Sequence, residues 1–165
     1  MAKSCLKLTS RSPWETQELG RTIGELARPG DIILLSGPLG AGKTCLAQGM
    51  AQGLGVREST ASPSYVLMRE FAGRLPLYHM DLYRLEFNEI DELGLDDYLY
   101  GRGVCVIEWA EKGMALMPAE HLLIKLAYAG ESERNIDIVP SGAHYAKMAR
   151  HIASSFYSVK KDNNT

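Results

Sequence analysis

The sequence lacks an excess of charge of either sign. Its 18 Lys and Arg stand against 20 Asp and Glu, a net charge of −2 over 165 residues. That balance argues against a protein that grips nucleic acid unaided, because phosphate backbones select basic faces. It leaves open work on nucleic acid through a partner. Cysteine is sparse and odd in number, at Cys5, Cys45 and Cys105, and no spacing among them resembles a metal site. Cys5 and Cys105 lie in apolar, strand-like segments and read as small hydrophobes. Cys45 sits at a helix start, where a thiolate is favoured, but reads as a passive helix residue. The histidines, His79, His121, His144 and His151, are scattered without ligand spacing and read as structural or surface residues. No apolar run approaches the ~18–20 residues needed to span a membrane. The first residues also lack the apolar segment of a signal peptide, so a cytoplasmic location is expected. Repeats and linkers are absent. The expectation is a single domain over residues 1–157 with a frayed tail over 158–165. A domain of this size can bury about 70% of its unfolded surface, so it needs no staples.

What the chain has is a contiguous signature over residues 31–55. The apolar run Ile32-Ile33-Leu34-Leu35 reads as a strand buried on both faces. It leads through Ser36 into Gly37-Pro38-Leu39-Gly40-Ala41-Gly42-Lys43-Thr44, the G-x-x-x-x-G-K-T pattern of a phosphate-binding loop. Leu46, Met50 and Leu54 then fall on one helical face, and Gly53 and Gly55 are stop signals. The motif thus lies between a strand and a helix, where its chemistry requires it. A triphosphate must be met by many donors at once. Gly37, Gly40 and Gly42 let successive backbone N–H groups point inward, and the helix N-terminus adds unpaired N–H groups and its dipole. Lys43 supplies a mobile charge for the β- and γ-phosphates, and the Thr44 hydroxyl is the expected Mg²⁺ ligand.

Ahead of this unit, residues 4–9 alternate as a half-buried strand. Ser12-Pro13-Trp14-Glu15 then starts a helix with Leu19, Ile23, Leu26 and Ala27 as its stripe and Pro29-Gly30 as its end. After the loop helix, the polar segment Ser59 to Tyr65 is either a nucleotide-sensing switch or an ordinary connection. Strands over 65–71 and 75–81 read as a hairpin about Gly73. Asp81 and Arg84 offer a metal-side carboxylate and a cation, or a surface ion pair. Helical turns broken by Gly94 are expected over 86–100, whose acids form a solvated face or a docking surface for a basic partner. Val104-Cys105-Val106-Ile107 is a second buried strand, and it ends in Glu108, the position of a carboxylate beside a phosphate loop. Glu108 could hold Mg²⁺ or orient water, or it could be an edge-exposed acid. Trp109 could cover a nucleotide or a partner surface, or simply pack in the core. Strands over 121–128 and 134–139 and a helix over 141–156 complete the chain.

The ordered set of phosphate loop, Ser62-Pro63-Ser64-Tyr65, His79-Met80-Asp81-Leu82-Tyr83-Arg84-Leu85, Glu92-Leu93-Gly94-Leu95-Asp96-Asp97-Tyr98 and Ile107-Glu108-Trp109 closely resembles the TsaE (YjeE) family. The likeness runs from about residue 5 to 140. The family's members are small bacterial ATPases of the pathway that makes threonylcarbamoyladenosine at position 37 of tRNAs. The resemblance implies an α/β fold of the P-loop NTPase kind, a mixed sheet flanked by helices with an extra N-terminal strand and helix. It implies ATP or ADP with Mg²⁺ as cofactors, slow hydrolysis by the chain alone, the TsaB–TsaD pair as partner, and tRNA met through that pair. By the same resemblance Gly37, Leu39, Gly40, Ala41, Gly42, Lys43, Thr44 and Cys45 bind the nucleotide. Thr9, Ser10 and Arg134 lie near its nucleoside. Thr44, Glu108 and Asp81 hold the metal, with Lys43, Glu108 and Asp81 the catalytic set. Ser62, Ser64, Tyr83, Arg84 and Trp109 are switch or partner positions.

Two departures stand out. The family usually has Asp at the place of Pro38, which removes one N–H and one charge, though phosphate binding uses the later amides. It usually has Thr at the place of Ser64, which keeps the hydroxyl. A small-molecule kinase is the rival enzyme class, but nothing after Glu108 resembles an Arg-bearing lid. The rival outside enzymes is a nucleotide-gated binding module with incidental hydrolysis.

Overall fold

Ser12 opens the first helix as its sequence predicts. Its Oγ accepts the Glu15 N–H at 3.1 Å, and Pro13 takes the first turn, where its missing donor costs nothing. In the computed structural model, which describes residues 4–58 and 67–162 (the backbone only beyond Phe156), the elements follow in order. They are β1 (Leu6–Ser10), α1 (Pro13–Leu26), β2 (Ile32–Ser36), α2 (Lys43–Gly53), β3 (Met68–Phe71) and β4 (Leu77–Asp81), then α3 (Phe87–Glu92), α4 (Asp96–Leu99), β5 (Val104–Glu108), β6 (His121–Tyr128), β7 (Arg134–Ser141) and α5 (Ala143–Asp162).

The seven strands form one mixed sheet in the order β1-β7-β6-β2-β5-β4-β3. The four inner strands β6, β2, β5 and β4 are parallel. β3 on one side and β7 on the other run opposite to them, and β1, antiparallel to β7, returns to their direction. Alternation along β2 divides the core. Ile33 and Leu35 face the layer of α1, α2 and α5, while Ile32 and Leu34 face the layer that carries α3 and α4. All four are at most 2% exposed, and each contributes about 1.5–3 kcal/mol by leaving water. Parallel strands buried on both faces put their carboxyl ends at one edge of the sheet, where α/β folds build their sites. There β2 delivers the phosphate loop, β5 delivers Glu108, and β4 delivers Asp81, whose register partner is Glu108.

Three expectations change. Cys5 precedes β1 and is exposed, so it is no core hydrophobe. β3 begins at Met68; the expected start at Tyr65 lies outside the described residues. The backbone of α5 stays helical through Asp162 rather than ending near Phe156, since no Gly or Pro interrupts it. Among the described residues no helix is long and apolar enough to cross a membrane.

Candidate functional site

The loop between β2 and α2 takes the shape its glycines permit. Gly37, Gly40 and Gly42 have φ of 143°, 77° and 105°, values that a side chain would strain. Gly42 caps α2 from the left-handed region, so the first N–H groups of the helix face the loop's concavity. Leu39 stands 70% exposed at the loop tip while Ala41 is buried beneath it. Lys43 is 5% exposed. Its Nζ donates to the Gly37 carbonyl and, at 2.8 Å, to the Pro38 carbonyl, and lies 4.0 Å from the centre of the Trp109 ring. Burial pulls this ammonium below the ordinary lysine range, against the upward pull of Glu111, Glu108 and Asp81.

Glu108 is the hub of the acidic side. It is 2% exposed, in the middle of the sheet, so the edge-exposed alternative is overturned. Its Oε1 accepts the Thr44 hydroxyl at 2.9 Å, and its Oε2 lies 2.6 Å from Nε2 of His79. Asp81 stands beside it at the end of β4, with Oδ1 accepting the Tyr83 N–H at 2.9 Å. Sequence reasoning treated His79 as one of four scattered histidines. The missed signal is local: His79 is two residues before Asp81 on a strand, hence on the same face.

Trp109 follows Glu108 in the left-handed region, φ 58°, the only non-glycine residue with positive φ among those described. That turn throws its ring back over Lys43 and against Tyr83, with centroids 4.8 Å apart. Trp109 therefore does both: its half-buried ring packs against the core under α3 and α4 and also lines the cleft beside Lys43. The 3₁₀ turn Ala110–Lys112 braces both walls. Glu111 accepts from the Gly37 N–H and the Ser36 hydroxyl; desolvation pushes its carboxyl up while these donors and Lys43 pull it down. Lys112 Nζ donates to the Tyr83 carbonyl at 2.6 Å. Glu111 and Lys112 were not singled out by sequence, because only the tertiary fold brings them to the loop. The result is a cleft of about 400 Å³ into which Leu39, Gly40, Gly42, Lys43, Thr44, Cys45, Asp81, Tyr83, Arg84, Glu108 and Trp109 all project.

A second cleft of about 210 Å³ lies across the loop, between Pro13 and Thr16 of α1 and Ser132 and Arg134, with Gly40, Ala41, Gly42 and Cys45 as its floor. Arg134 is held by the carbonyls of Gly130, Glu131 and Glu133. Its guanidinium lies 4.8 Å from the centre of the Tyr128 ring, and the Tyr128 hydroxyl in turn donates to the Leu39 carbonyl. Ser10 pairs with Arg134 across β1 and β7. Its side chain, however, is spent on the Thr16 hydroxyl at 2.7 Å and the Ser12 carbonyl at 2.8 Å. Neither Thr9 nor Ser10 lines the two clefts. Cys45 lines both; its Sγ donates to the Pro13 carbonyl at 3.3 Å, and burial pushes its thiol up, opposite to an activated thiolate. Ser62 and Ser64 lie outside the described residues.

The donor set suits a small hard cation. Thr44, Glu108 and Asp81 offer only oxygens, at the mouth of an anion-binding loop. Among the described residues no group of three or more His, Cys, Asp or Glu could hold an ion by itself.

A family profile described as "Threonylcarbamoyl adenosine biosynthesis protein TsaE" matches residues 10–136. The chain is 40% identical over 149 residues to the tRNA threonylcarbamoyladenosine biosynthesis protein TsaE of Bacillus subtilis, covering 90% of this chain and 94% of that one. It is 39% identical over 134 residues to the protein of that name from Treponema pallidum, covering 81% and 99%. Among solved structures it superposes on that of Bacillus subtilis YdiB with a TM-score of 0.83 at 36% identity, covering 94% of this chain and 98% of the other. Likeness of that extent, in sequence and in fold, makes the chain a member of the TsaE family.

Proposed function

We propose that this protein is a Mg²⁺-dependent ATPase that supports tRNA N6-threonylcarbamoyladenosine modification together with the TsaB–TsaD pair. The pathway rests on the family and on the names its relatives carry. The observation that carries the chemistry is the 2.9 Å contact between the Thr44 hydroxyl and Glu108 at the mouth of the glycine loop. The loop amides bind the phosphate chain, and Lys43 exchanges its hold on the Gly37 and Pro38 carbonyls for phosphate oxygens. Thr44, Glu108 and Asp81 would hold Mg²⁺, which when bound would supply charge neutralisation to the phosphates. Glu108 Oε2 is taken by His79, while Oε1 stands beside the Thr44 hydroxyl, and that pairing with the other metal-side oxygen supports the metal-side role. Trp109, backed by Tyr83, covers Lys43 and keeps water from its charge, which strengthens its attraction for phosphate.

The test is ATP hydrolysis by the pure protein, with and without Mg²⁺ and the TsaB–TsaD pair. The expected result is slow turnover alone, strong stimulation by the pair, and none after chelation. Turnover that ignores the pair would remove the partner from the proposal. Phosphate appearing on an added nucleoside or sugar, instead of free in solution, would replace hydrolysis with a kinase reaction.

A further inference from the structure

His79 is 2% exposed and sits on the α2 face of β4 together with Leu77 and Asp81. On the neighbouring strand, Val104, Val106 and Glu108 share that face. An imidazole among aliphatic side chains must meet a polar partner or carry a desolvation cost, and the partner here is Glu108 Oε2 at 2.6 Å. The same holds in reverse, since Glu108 is itself 2% exposed. A buried carboxylate has several ways to be satisfied. A Lys or Arg would cancel its charge at close range. An imidazole N–H saturates one oxygen without a fixed positive charge. It also fixes the rotamer, so that Oε1 faces the Thr44 hydroxyl.

We propose that His79 is a positioning residue for the metal-side carboxylate: it saturates Glu108 Oε2 and thereby presents Oε1, with its charge, beside Thr44 at the phosphate edge. The proposal rests on the metal-side reading of Glu108 given above. Outer partners of this kind orient a ligating group, and their loss typically weakens metal binding by about 10–100-fold. His79 itself does not line the cleft. Removing it therefore acts on the metal and not on phosphate binding by the loop amides and Lys43.

The experiment is titration calorimetry of ADP into wild type, His79→Leu and His79→Gln, each with excess chelator and at a series of Mg²⁺ concentrations. ADP avoids turnover, so the readout is binding alone. In wild type, Mg²⁺ is expected to tighten ADP. In His79→Leu, ADP affinity under chelator is expected to stay at the wild-type value, while the Mg²⁺ concentration needed for tightening rises at least about tenfold. The amide of His79→Gln can donate to the same carboxylate oxygen, so it is expected to recover most of that loss. Unchanged Mg²⁺ dependence in His79→Leu overturns the proposal. So does an equal loss of affinity with and without Mg²⁺, the mark of a merely structural role. If His79→Leu does not fold, His79→Gln decides alone: a Mg²⁺ requirement raised as much as about tenfold despite the retained donor overturns it. Absence of Mg²⁺-linked tightening in wild type instead removes the metal-side reading itself, which separates that failure from a failure of His79.

Discussion

Lys43 shows how one residue's environment becomes a measurable property. Burial lowers its pKa below the ordinary value of 10.5 because the charged form is held away from water, and the nearby acids only partly reverse this. A phosphate needs the charged form. As pH rises through the lowered value, the free protein gives up the proton that nucleotide binding must then supply. ADP affinity is thus expected to begin falling below pH 10.5, in a range where the phosphate is already fully ionised. Lys43→Ala is expected to bind ADP about two orders of magnitude more weakly, the scale of a lost charge-assisted contact, and to lose that alkaline dependence. Calorimetry across the alkaline range checks both. A variant that binds as tightly as wild type would remove Lys43 from the site. The cysteines give a second reading at this scale. Cys5 is exposed, whereas burial pushes the Cys45 thiol up and that of Cys105 to about 12. Reaction of the native protein with iodoacetamide near pH 8, followed by peptide mass spectrometry, is expected to label Cys5 first, Cys45 slowly and Cys105 only on unfolding. Early labelling of Cys45 would restore the activated thiolate that its place at a helix start suggests. Lys43, Thr44 and Glu108, in a contiguous motif or at the end of a buried strand, were legible in sequence because the chemistry fixes their spacing, whereas a site role for Asp81 came only with the family resemblance. His79, Glu111, Lys112 and Tyr128 were not, since each gains its role from a partner distant in sequence.

Among the elements, α1 and α2 are joined by a seam that the sequence holds in plain view. Gly20 and Gly24 face α2, and Gly49 and Gly53 face α1. A Cβ at any of the four would run into a backbone carbonyl of the other helix, that of Leu46, Met50, Gln17 or Arg21. The hydrophobic stripes of both helices were readable, as was the capping by Ser12. The glycine spacing was not used, and Gly53 was taken only as a stop, because a close approach belongs to two helices and cannot be inferred from either alone. Gly49→Ala sets two effects against each other. Alanine favours the helix by about 1 kcal/mol. Overpacking costs about 1–3 kcal/mol, and more where the obstacle cannot move. The obstacle here is the Gln17 carbonyl, which is backbone, so packing wins and a net loss of roughly 2 kcal/mol is expected from urea unfolding. Because α2 starts at Lys43 and Thr44, the displacement reaches the phosphate loop, and ADP affinity is expected to fall in the same variant. Unchanged stability would show that the helices can part without cost.

At the scale of the whole molecule, the sheet separates contacts that stabilise the fold from the candidate site. The site occupies the carboxyl ends of β2, β4 and β5. The opposite end of β2 is tied down by the first turn of α5. Ile32 N–H donates to the Tyr145 hydroxyl at 2.9 Å, and His144 Nε2 lies 2.8 Å from Asp31 Oδ1. The sheet's mixed directions and its extra N-terminal strand and helix agree with what the family resemblance implied. The tie to α5 had no sequence signal, since Ile32 meets Tyr145, and Asp31 meets His144, only in the fold. Burial raises the Tyr145 hydroxyl to about 12, so it stays neutral and keeps its hydrogen bond at every working pH. Tyr145→Phe keeps the ring in the core and orphans the first N–H of the strand that carries the loop. The expected loss is about 1–3 kcal/mol, the cost of a buried donor without a partner. Ile32 lies about 17 Å along β2 from the loop, and the strand between them is locked on both sides by parallel neighbours. ADP affinity is therefore expected to match wild type under conditions where both proteins are folded. Urea unfolding and calorimetry on the same preparation decide it. If stability and affinity fall together, the two ends of the sheet are coupled, and β2 transmits strain from α5 to the phosphate loop instead of insulating it.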